Sequence, residues 1–331
     1  MIVVAQDGSG DFKTVQAAID AVPANNQERV TILIKKGIYR EKVMIDKPHI
    51  TLIGEDRDQT IITYDDHAKK LLPNGEPYGT FRSYTIFFGA DDLTAKQLTF
   101  ANTAGRGELV GQALAAYVDG DRNSFYQCRF LGRQDTLFTG PLPAKPKQGT
   151  TFGSPRDGLP RKHSRQYYQD CYIEGDVDFI FGSATAVFNR CEIFALVRDS
   201  EDMPAHARKV HGYITAASTP ADQPFGYVFM HCRLTSNAPA QSYYLGRPWR
   251  DHAKTAWISC WLGEHIIDAG WHNWNRPEAE QTTEYCEYQS IGPGRADEKR
   301  CNWSKILTDE EAKRFTIANI LGGQDGWNPE V

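Results

Sequence analysis

Short apolar runs separated by turn residues recur along the first hundred residues of the chain. Gly, Asp and Lys separate these runs, which occupy Val30–Ile34, Ile50–Ile53, Thr60–Ile62, Ser83–Phe88 and Leu98–Phe100. Apolar runs of this length between turn residues are typical of β-strands and are too short for most helices. The pattern therefore predicts an all-β fold for this part of the chain.

Further along the chain, a Cys followed two positions later by Phe, Ile or Leu occurs five times. The pairs are Cys128 and Phe130, Cys171 and Ile173, Cys191 and Ile193, Cys232 and Leu234, and Cys260 and Leu262. Residues two apart on a strand face the same side, so we expect each pair to point inward at the end of a strand. The intervals of 43, 20, 41 and 28 residues, and 26 more to Cys286, fit one or two units of roughly 20–25 residues. This spacing predicts a β-solenoid in which Cys serves as a small buried residue stacked coil upon coil.

A solenoid needs caps over its end coils, and both ends of the chain contain a short helical pattern. Val15, Ala18, Ile19 and Val22 lie at helical spacing before Pro23 and predict an N-terminal capping helix. Near the other end, Thr308 and Glu311 form a capping-box pattern for a helix over Asp309–Phe315 that should pack along the outside of the stack. Two stretches interrupt the repeat, Gly140–Ser164 and Arg198–Lys209, and we expect loops there on one face.

Composition limits which partners the protein can be expected to bind and where in the cell it can be expected to lie. The 331 residues carry a net charge of -5 and no long Lys/Arg run, so nucleic acid is not expected as a partner. No segment approaches the ~18 apolar residues of a membrane span, and no CxxC pair indicates a zinc ribbon. We predict one domain over residues 1–331 and a monomer. The N-terminal apolar stretch is too short for a secretory signal, which predicts a cytoplasmic protein if Met1 is the native start; the alternative is a secreted protein whose signal is missing.

The sequence contains no G-x-S-x-G elbow, P-loop, H-E-x-x-H or dinucleotide fingerprint. The candidate catalytic residues that remain lie in four polar clusters. The clusters are Gly111–Leu114, Gly132–Leu137, Gly175–Gly182 and Leu245–Trp249. Stacked coils lie about 4.8 Å apart, so Gln112, Asp135 and Asp178 can converge although they are distant in sequence. Together with Arg247, the two Asp residues have the composition of an asymmetric carboxylate pair, one neutral and one ionised. For either Asp alone, a turn-capping role is an equally good interpretation.

These clusters, taken in order with motifs at both ends, resemble the pectin methylesterase (pectinesterase) family over nearly the whole chain. The further motifs are Asp7–Val15 with Ala17–Ile19, Gly37–Glu41, Leu321–Gly323 and Trp327–Pro329. The resemblance implies a single-domain right-handed parallel β-helix that hydrolyses the C6 methyl esters of galacturonate residues in pectin or methylated oligogalacturonides. It implies no metal and no cofactor.

Residue by residue, the resemblance implies that Asp178 is the nucleophile of an acyl-enzyme mechanism and Asp135 the general acid and then base. It also implies that Arg247 pairs with Asp178 and keeps it ionised. It further implies that Gln112 and Gln134 donate hydrogen bonds to the oxyanion. Phe181 and Trp249 match aromatic residues that line the sugar groove in the family, and for these two the alternative is packing in the core.

Some points stay open at this stage. Tyr243 and Tyr244 are additional groove candidates. Asp176 lies two residues before Asp178, and a regular strand would point both carboxylates the same way. The competing functions are another pectin-active β-helix enzyme, either a lyase or a galacturonan hydrolase, and a non-catalytic carbohydrate-binding solenoid. The long segment after Phe138 leaves the preferred substrate length and methylation pattern undecided.

Overall fold

The chain winds through successive coils, and each coil contributes strands to three parallel sheets. A computed structural model describes residues 1–198 and 209–330. Within these ranges, a strand of one coil pairs in parallel with the equivalent strands of the coils before and after it. The path runs from sheet 1 to sheet 2 to sheet 3 and then back to sheet 1. This arrangement is a parallel β-helix and confirms the predicted fold class.

The strands are numbered in chain order across the three sheets. Sheet 1 consists of β1 (Ile2–Val4), β2 (Val30–Ile34), β5 (Ile50–Gly54), β8 (Thr94–Lys96), β11 (Asn123–Tyr126), β14 (Arg165–Gln169), β17 (Thr185–Asn189), β20 (Tyr227–Met230), β23 (Lys254–Ile258), β25 (Glu284–Tyr288) and β26 (Lys305–Ile306). Sheet 2 consists of β3 (Gly37–Arg40), β6 (Thr60–Tyr64), β9 (Thr99–Asn102), β12 (Arg129–Leu131), β15 (Tyr172–Gly175), β18 (Glu192–Ala195), β21 (Arg233–Ser236) and β24 (Trp261–Leu262). Sheet 3 consists of β4 (Val43–Ile45), β7 (Ile86–Phe88), β10 (Ala116–Val118), β13 (Leu137–Thr139), β16 (Val177–Gly182), β19 (Gly212–Ala217) and β22 (Tyr243–Gly246).

Aromatic rings stack inside the coil along sheet 1. Five buried side chains from successive strands form this ladder, with ring centroids 3.8–4.9 Å apart: Phe125, Tyr168, Phe188, Phe229 and Trp257. The parallel register repeats the same inward position in every coil, so like residues stack on like. This ladder fixes the alignment of neighbouring coils.

The cysteines form a second interior ladder, but they do not lie on strands. Cys128, Cys171, Cys191, Cys232 and Cys260 are buried, unpaired, and each occupies the bend between a sheet 1 strand and the following sheet 2 strand. Consecutive thiols of this ladder interact with one another, and burial raises the pKa of the first four well above the usual range. The residue before each Cys has a positive φ of 52–54°. The predicted burial and stacking are confirmed, whereas the predicted strand position was wrong because this left-handed residue bends the chain.

Short helices lie at both ends of the chain. Helix α1 (Val15–Asp20) contacts β1, β2 and β4, so the predicted N-terminal cap is confirmed. Helices α3 (Asp309–Ala312) and α4 (Ile317–Leu321) near the C-terminus are shorter, as is α2 (Gly107–Val110), which lies between β9 and β10. The 3-10 turns occupy Thr80–Arg82 and Pro277–Gln281. No helix of the described residues is long and apolar enough to cross a membrane.

The C-terminal helix differs in part from its prediction. The capping box is present, since Thr308 Oγ1 accepts from the Glu311 N–H and the Glu311 carboxylate accepts from the Thr308 N–H. The helix ends at Ala312 instead of Phe315 and buries none of its residues. Packing against the outer face of sheet 1 comes from Phe315 and from α4, which continue an apolar cluster with Val187 and Val228. The outside of the stack is covered, but by residues that follow the observed helix α3.

Of the two predicted loops, the first lies over sheet 3. Within Gly140–Ser164, Phe152 packs edge-on against Phe81 at 5.5 Å, and Ser154 bonds the hydroxyl of Tyr117 at 2.9 Å. Most of the second loop, residues 199–208, lies outside the described residues. The first loop therefore covers the outer face of the sheet that carries the candidate site.

We expect Phe188→Ala to lower the free energy of unfolding by about 3–5 kcal/mol, because the substitution opens a cavity between Tyr168 and Phe229. Urea unfolding followed by tryptophan fluorescence measures this loss. Phe194→Ala is the matched control, since Phe194 lies on the next strand but only half-buried on the outer face. Equal losses in the two variants would contradict a stabilising role for the interior ladder.

Candidate active site

The two Asp residues lie side by side on neighbouring coils at the start of sheet 3. Strands β13 and β16 pair with Leu137 opposite Ile180, and the Asp135 N–H donates to the Val177 carbonyl at 3.0 Å. Counting back along this register places Asp135 beside Asp178. Their side chains are nearly buried, with residue exposures of 8% and 7%. Coil stacking thus brings together two carboxyl groups that are 43 residues apart.

The backbone at both positions departs from a regular strand. Asp135 has φ +64° and Asp178 has φ +50°, a left-handed conformation that is uncommon for residues other than glycine. After Asp178 the alternation fails, because Phe179 and Ile180 both point into the core while Phe181 points outward. Such strain is typical of functional positions that the surrounding structure holds in place.

This break separates Asp178 from Asp176, contrary to the expectation for a regular strand. Asp176 precedes β16 and accepts a hydrogen bond from the Val177 N–H at 2.7 Å, and its electrostatic partners are Arg198 and Arg133. Burial raises its pKa to about 6. Arg198 acts on both carboxylates, but of the two only Asp178 is bound by Arg247.

Arg247 binds Asp178 through both carboxylate oxygens. Its Nε donates to Oδ1 at 2.8 Å and an Nη to Oδ2 at 2.7 Å, a bidentate geometry that fixes the orientation of the carboxylate. Arg247 follows β22, so the pair joins two strands of sheet 3 that flank β19. Asp178 is accordingly hydrogen-bonded to a guanidinium that comes from two coils away.

Two aromatic rings enclose the Arg247 guanidinium. Its Cζ lies 3.7 Å from the ring centroid of Tyr213 and 3.6 Å from that of Trp274. Cations over aromatic faces are attracted by the ring quadrupole. Neither ring was predicted from the sequence, because neither residue belongs to a polar cluster. The one signal for Trp274 was a tryptophan in a polar stretch, His272–Asn275, where core packing does not require it.

The electrostatic surroundings of the two carboxyl groups differ. Burial and the neighbouring Asp178 charge raise the pKa of Asp135 well above its usual range, and the more distant Arg247 opposes this only in part. Burial also raises the pKa of Asp178, but there the Arg247 charge and hydrogen bonds act directly on the carboxylate. Asp135 makes no side-chain hydrogen bond within the described residues. The arrangement favours a protonated Asp135 beside an ionised Asp178.

Gln112 and Gln134 lie half-buried at the same edge of sheet 3, just before their strands. The Ala113 N–H donates to the Gln134 carbonyl at 3.1 Å, which ties the two coils together beside Asp135. Neither side-chain amide makes a hydrogen bond within the part of the chain that the structure describes. Helix α2 closes over Gln134, since a Cβ at Gly107 would lie 2.6 Å from its Oε1. Both amides are available to an external acceptor.

An aromatic cluster covers the outer face of sheet 3 next to the carboxyl pair. Phe181 is buried in it, with Phe138 at 4.9 Å and the half-buried Trp249 at 5.7 Å. Of the two additional groove candidates, Tyr243 was wrong: it points into the core and donates to the Leu196 carbonyl at 2.6 Å. Tyr244 instead stacks on the Arg247 partner Tyr213, with centroids 5.6 Å apart.

Comparisons of sequence and structure relate this chain to one family of known proteins. The family described as Pectinesterase matches residues 1–142 and 150–324. Pectinesterase 31 of Arabidopsis thaliana is 37% identical over 322 residues, which cover 95% of this chain and 90% of that protein. The carrot pectin methylesterase structure is 33% identical with a TM-score of 0.79, covering 98% of this chain and 93% of its own. A pectin methylesterase in complex with a hexasaccharide is 30% identical with a TM-score of 0.79, covering 100% and 98%.

We expect Asp135→Asn to stabilise the fold at pH 7. The folded-state pKa of Asp135 is raised, so the group favours folding at low pH, and this contribution is lost as the pH rises from the unfolded value of roughly 4 through the folded pKa. The amide has no proton to lose. The urea midpoint of the variant should therefore exceed that of the unmodified protein at pH 7 and match it closely at pH 4.

The exposed Asp222→Asn is the control and should leave the difference between the two pH values unchanged. If Asp135→Asn unfolded more easily than the unmodified protein at pH 7, Asp135 would not be a protonated buried group.

Proposed function

This chain belongs to the pectinesterase family, and we propose that Asp178 and Asp135 carry out its reaction as nucleophile and proton donor. The protein is a carboxylic ester hydrolase that removes the C6 methyl esters of galacturonate residues in pectin. The observation that supports the proposed roles is the asymmetry of the pair: Asp178 is oriented by a bidentate Arg247, whereas Asp135 is buried without a charge partner of its own.

In the first half of the reaction, an ionised oxygen of Asp178 attacks the C6 carbonyl carbon and a tetrahedral oxyanion forms. The free amides of Gln112 and Gln134 donate hydrogen bonds to this oxyanion, which is stronger as an acceptor than the ester carbonyl. The C–O bond to the methoxy group breaks, and Asp135 transfers its proton to the departing oxygen, so methanol leaves. The product of this half is a mixed anhydride between Asp178 and the galacturonate.

In the second half, Asp135 is ionised and accepts a proton from a water molecule that attacks the anhydride carbonyl. The bond to Asp178 breaks, Asp178 returns as a carboxylate, and Asp135 is protonated again for the next cycle. The net change is one ester and one water converted to methanol and a carboxylic acid, whose proton goes to solvent. No residue outside the carboxyl pair needs to change its charge.

Arg247 acts through Asp178 and not on the substrate in this scheme. Its two hydrogen bonds fix the orientation of the carboxylate, and its charge favours the ionised form of Asp178 that the attack requires. Tyr213 and Trp274 enclose the guanidinium and restrict its movement. The half-buried Trp249 belongs to the aromatic cluster beside the pair and suits the apolar face of a sugar ring, whereas Phe181 is buried and packs against Trp249. We also propose that the protein works as a monomer; its location in the cell stays a prediction.

We expect Asp178→Ala and Asp135→Ala each to lower kcat for methanol release from methylated pectin by about 10²–10⁴-fold or more, with the fold retained by circular dichroism. An activated aryl ester of galacturonate separates the two roles, because its leaving group needs no proton. Asp135→Ala should give a burst of the phenol from this ester and then stall. Asp178→Ala should give none.

A burst in Asp178→Ala, or full turnover of pectin by either variant, would contradict the assigned roles. Unsaturated or new reducing ends from pectin in place of methanol would instead indicate a lyase or a galacturonan hydrolase.

We expect Gln112→Leu and Gln134→Leu each to lower kcat by about 10²–10³-fold with little change in KM, because the donors act mainly on the oxyanion. Steady-state methanol release measures both constants. Gln27→Leu is the control, because Gln27 is exposed and lies near the N-terminus, far in sequence from both glutamines. A rise in KM at unchanged kcat would assign these amides to ground-state binding instead.

A further inference from the structure

Two successive coils have long connections between sheet 2 and sheet 3. The first joins β6 to β7 through residues 65–85, and the second joins β9 to β10 through residues 103–115. The second connection contains helix α2 and Gln112, whose side-chain amide is the proposed donor to the oxyanion. In the following coil the same connection is short, since only residues 132–136 separate β12 from β13. The position of Gln112 therefore depends on how the two long connections are held.

The buried side chain of Asn102 joins the bases of both connections. Asn102 is the last residue of β9 and is 8% exposed. Its Nδ2 lies 2.9 Å from the Asp66 carbonyl oxygen and 3.0 Å from that of Ser83, near the two ends of the first connection. The same Nδ2 lies 3.1 Å from the carbonyl oxygen of Leu114, near the end of the second connection. One amide group thus closes both connections at their base.

Further contacts extend from this base to Gln112. The Ala68 N–H of the first connection donates to the Gln112 carbonyl at 2.8 Å. Two residues further on, the Leu114 N–H donates to the hydroxyl oxygen of Ser83 at 3.2 Å. The side chain of Gln112 makes no hydrogen bond within the described residues, so the backbone that carries it sets its direction. Asn102 holds this backbone to the neighbouring connection.

Asn102 is not part of a repeating interior ladder. The parallel register pairs it with Tyr64 of the previous coil. Continuing the register from the pair of Ala101 and Leu131 places it beside Gly132 of the next coil. Neither neighbour is an asparagine, although a buried amide needs hydrogen-bond partners that the fold must provide. The partners of this amide come from the two long connections, which indicates that it serves them and not the stacking of coils.

We propose that Asn102 is a positioning residue that holds Gln112 where its amide meets the oxyanion. This inference rests on the proposed function. Loss of the Asn102 amide removes a donor from three backbone carbonyls and frees the base of the connection that carries Gln112. A displacement of about 1 Å at a reacting group can cost about 10²-fold in rate. A residue that never touches the substrate thereby controls kcat.

The test is a double-mutant cycle between Asn102 and Gln112, with kcat and KM measured by methanol release from methylated pectin. Asn102→Ala should lower kcat by about 10–100-fold with little change in KM, and by no more than Gln112→Leu does. In the Gln112→Leu background, Asn102→Ala should change kcat by less than about twofold, because the group that it positions is already absent. A merely structural role would lower kcat by the same factor in both backgrounds.

Two further variants sharpen the result. Asn123→Ala removes another buried asparagine, whose Oδ1 accepts from the Leu93 N–H at 2.9 Å in the turn between sheet 3 and sheet 1. It should lower the urea midpoint and leave kcat unchanged. Ser83→Ala removes the acceptor of the Leu114 N–H and should lower kcat less than Asn102→Ala does. If Asn102→Ala does not fold by circular dichroism, Ser83→Ala takes its place in the cycle.

Full kcat in Asn102→Ala would overturn the positioning role, and so would an equal loss of kcat in both backgrounds or a rise in KM at unchanged kcat. Unchanged kcat in Gln112→Leu alone would instead contradict the oxyanion role given to Gln112 in the proposed function. The two failures are therefore distinguishable.

Discussion

The parallel register between successive coils is the constraint on which the rest of this structure depends. It repeats each inward position about 4.8 Å further along the stack, which is why Phe125, Tyr168 and Phe188 superpose as rings inside the coil. The same register places Asp135 next to Asp178 and brings Gln112 and Gln134 to the same edge of sheet 3. The same alignment therefore determines both the packing of the core and the geometry of the site, and a change of register between coils would disrupt both.

The site also requires that this regularity be broken locally. A regular strand would point Asp176 and Asp178 in the same direction, but Asp178 has a positive φ, and only its carboxylate is bound by Arg247. The bend places Phe179 and Ile180 both in the core, and their burial helps to hold the strained residue between the coils above and below. Strain at Asp135 and Asp178 is thus supported by the same stacking that positions them.

Most of the fold follows from the sequence, because short apolar runs and evenly spaced cysteines report inward positions directly. The departures arise where conformation depends on residues without a local signal. Gln127 and Asp170 adopt the left-handed bend before Cys128 and Cys171 although neither is glycine, so the cysteines moved from the predicted strand into a turn. The C-terminal helix stops at Ala312 and buries none of its residues, and the apolar residues that cover sheet 1 come later, at Phe315 and in α4.

The candidate site was predictable where its residues form compact motifs, and not where contacts join distant parts of the chain. Arg247 and Asp178 were found through their clusters, but Tyr213 and Trp274 reach the guanidinium from other elements and belong to no motif. Their placement has an electrostatic reason. A cation between two rings is shielded from water, and Arg247 consequently keeps its charge directed at Asp178. The unlike protonation of two neighbouring carboxyl groups then depends on which of them the enclosed guanidinium can reach.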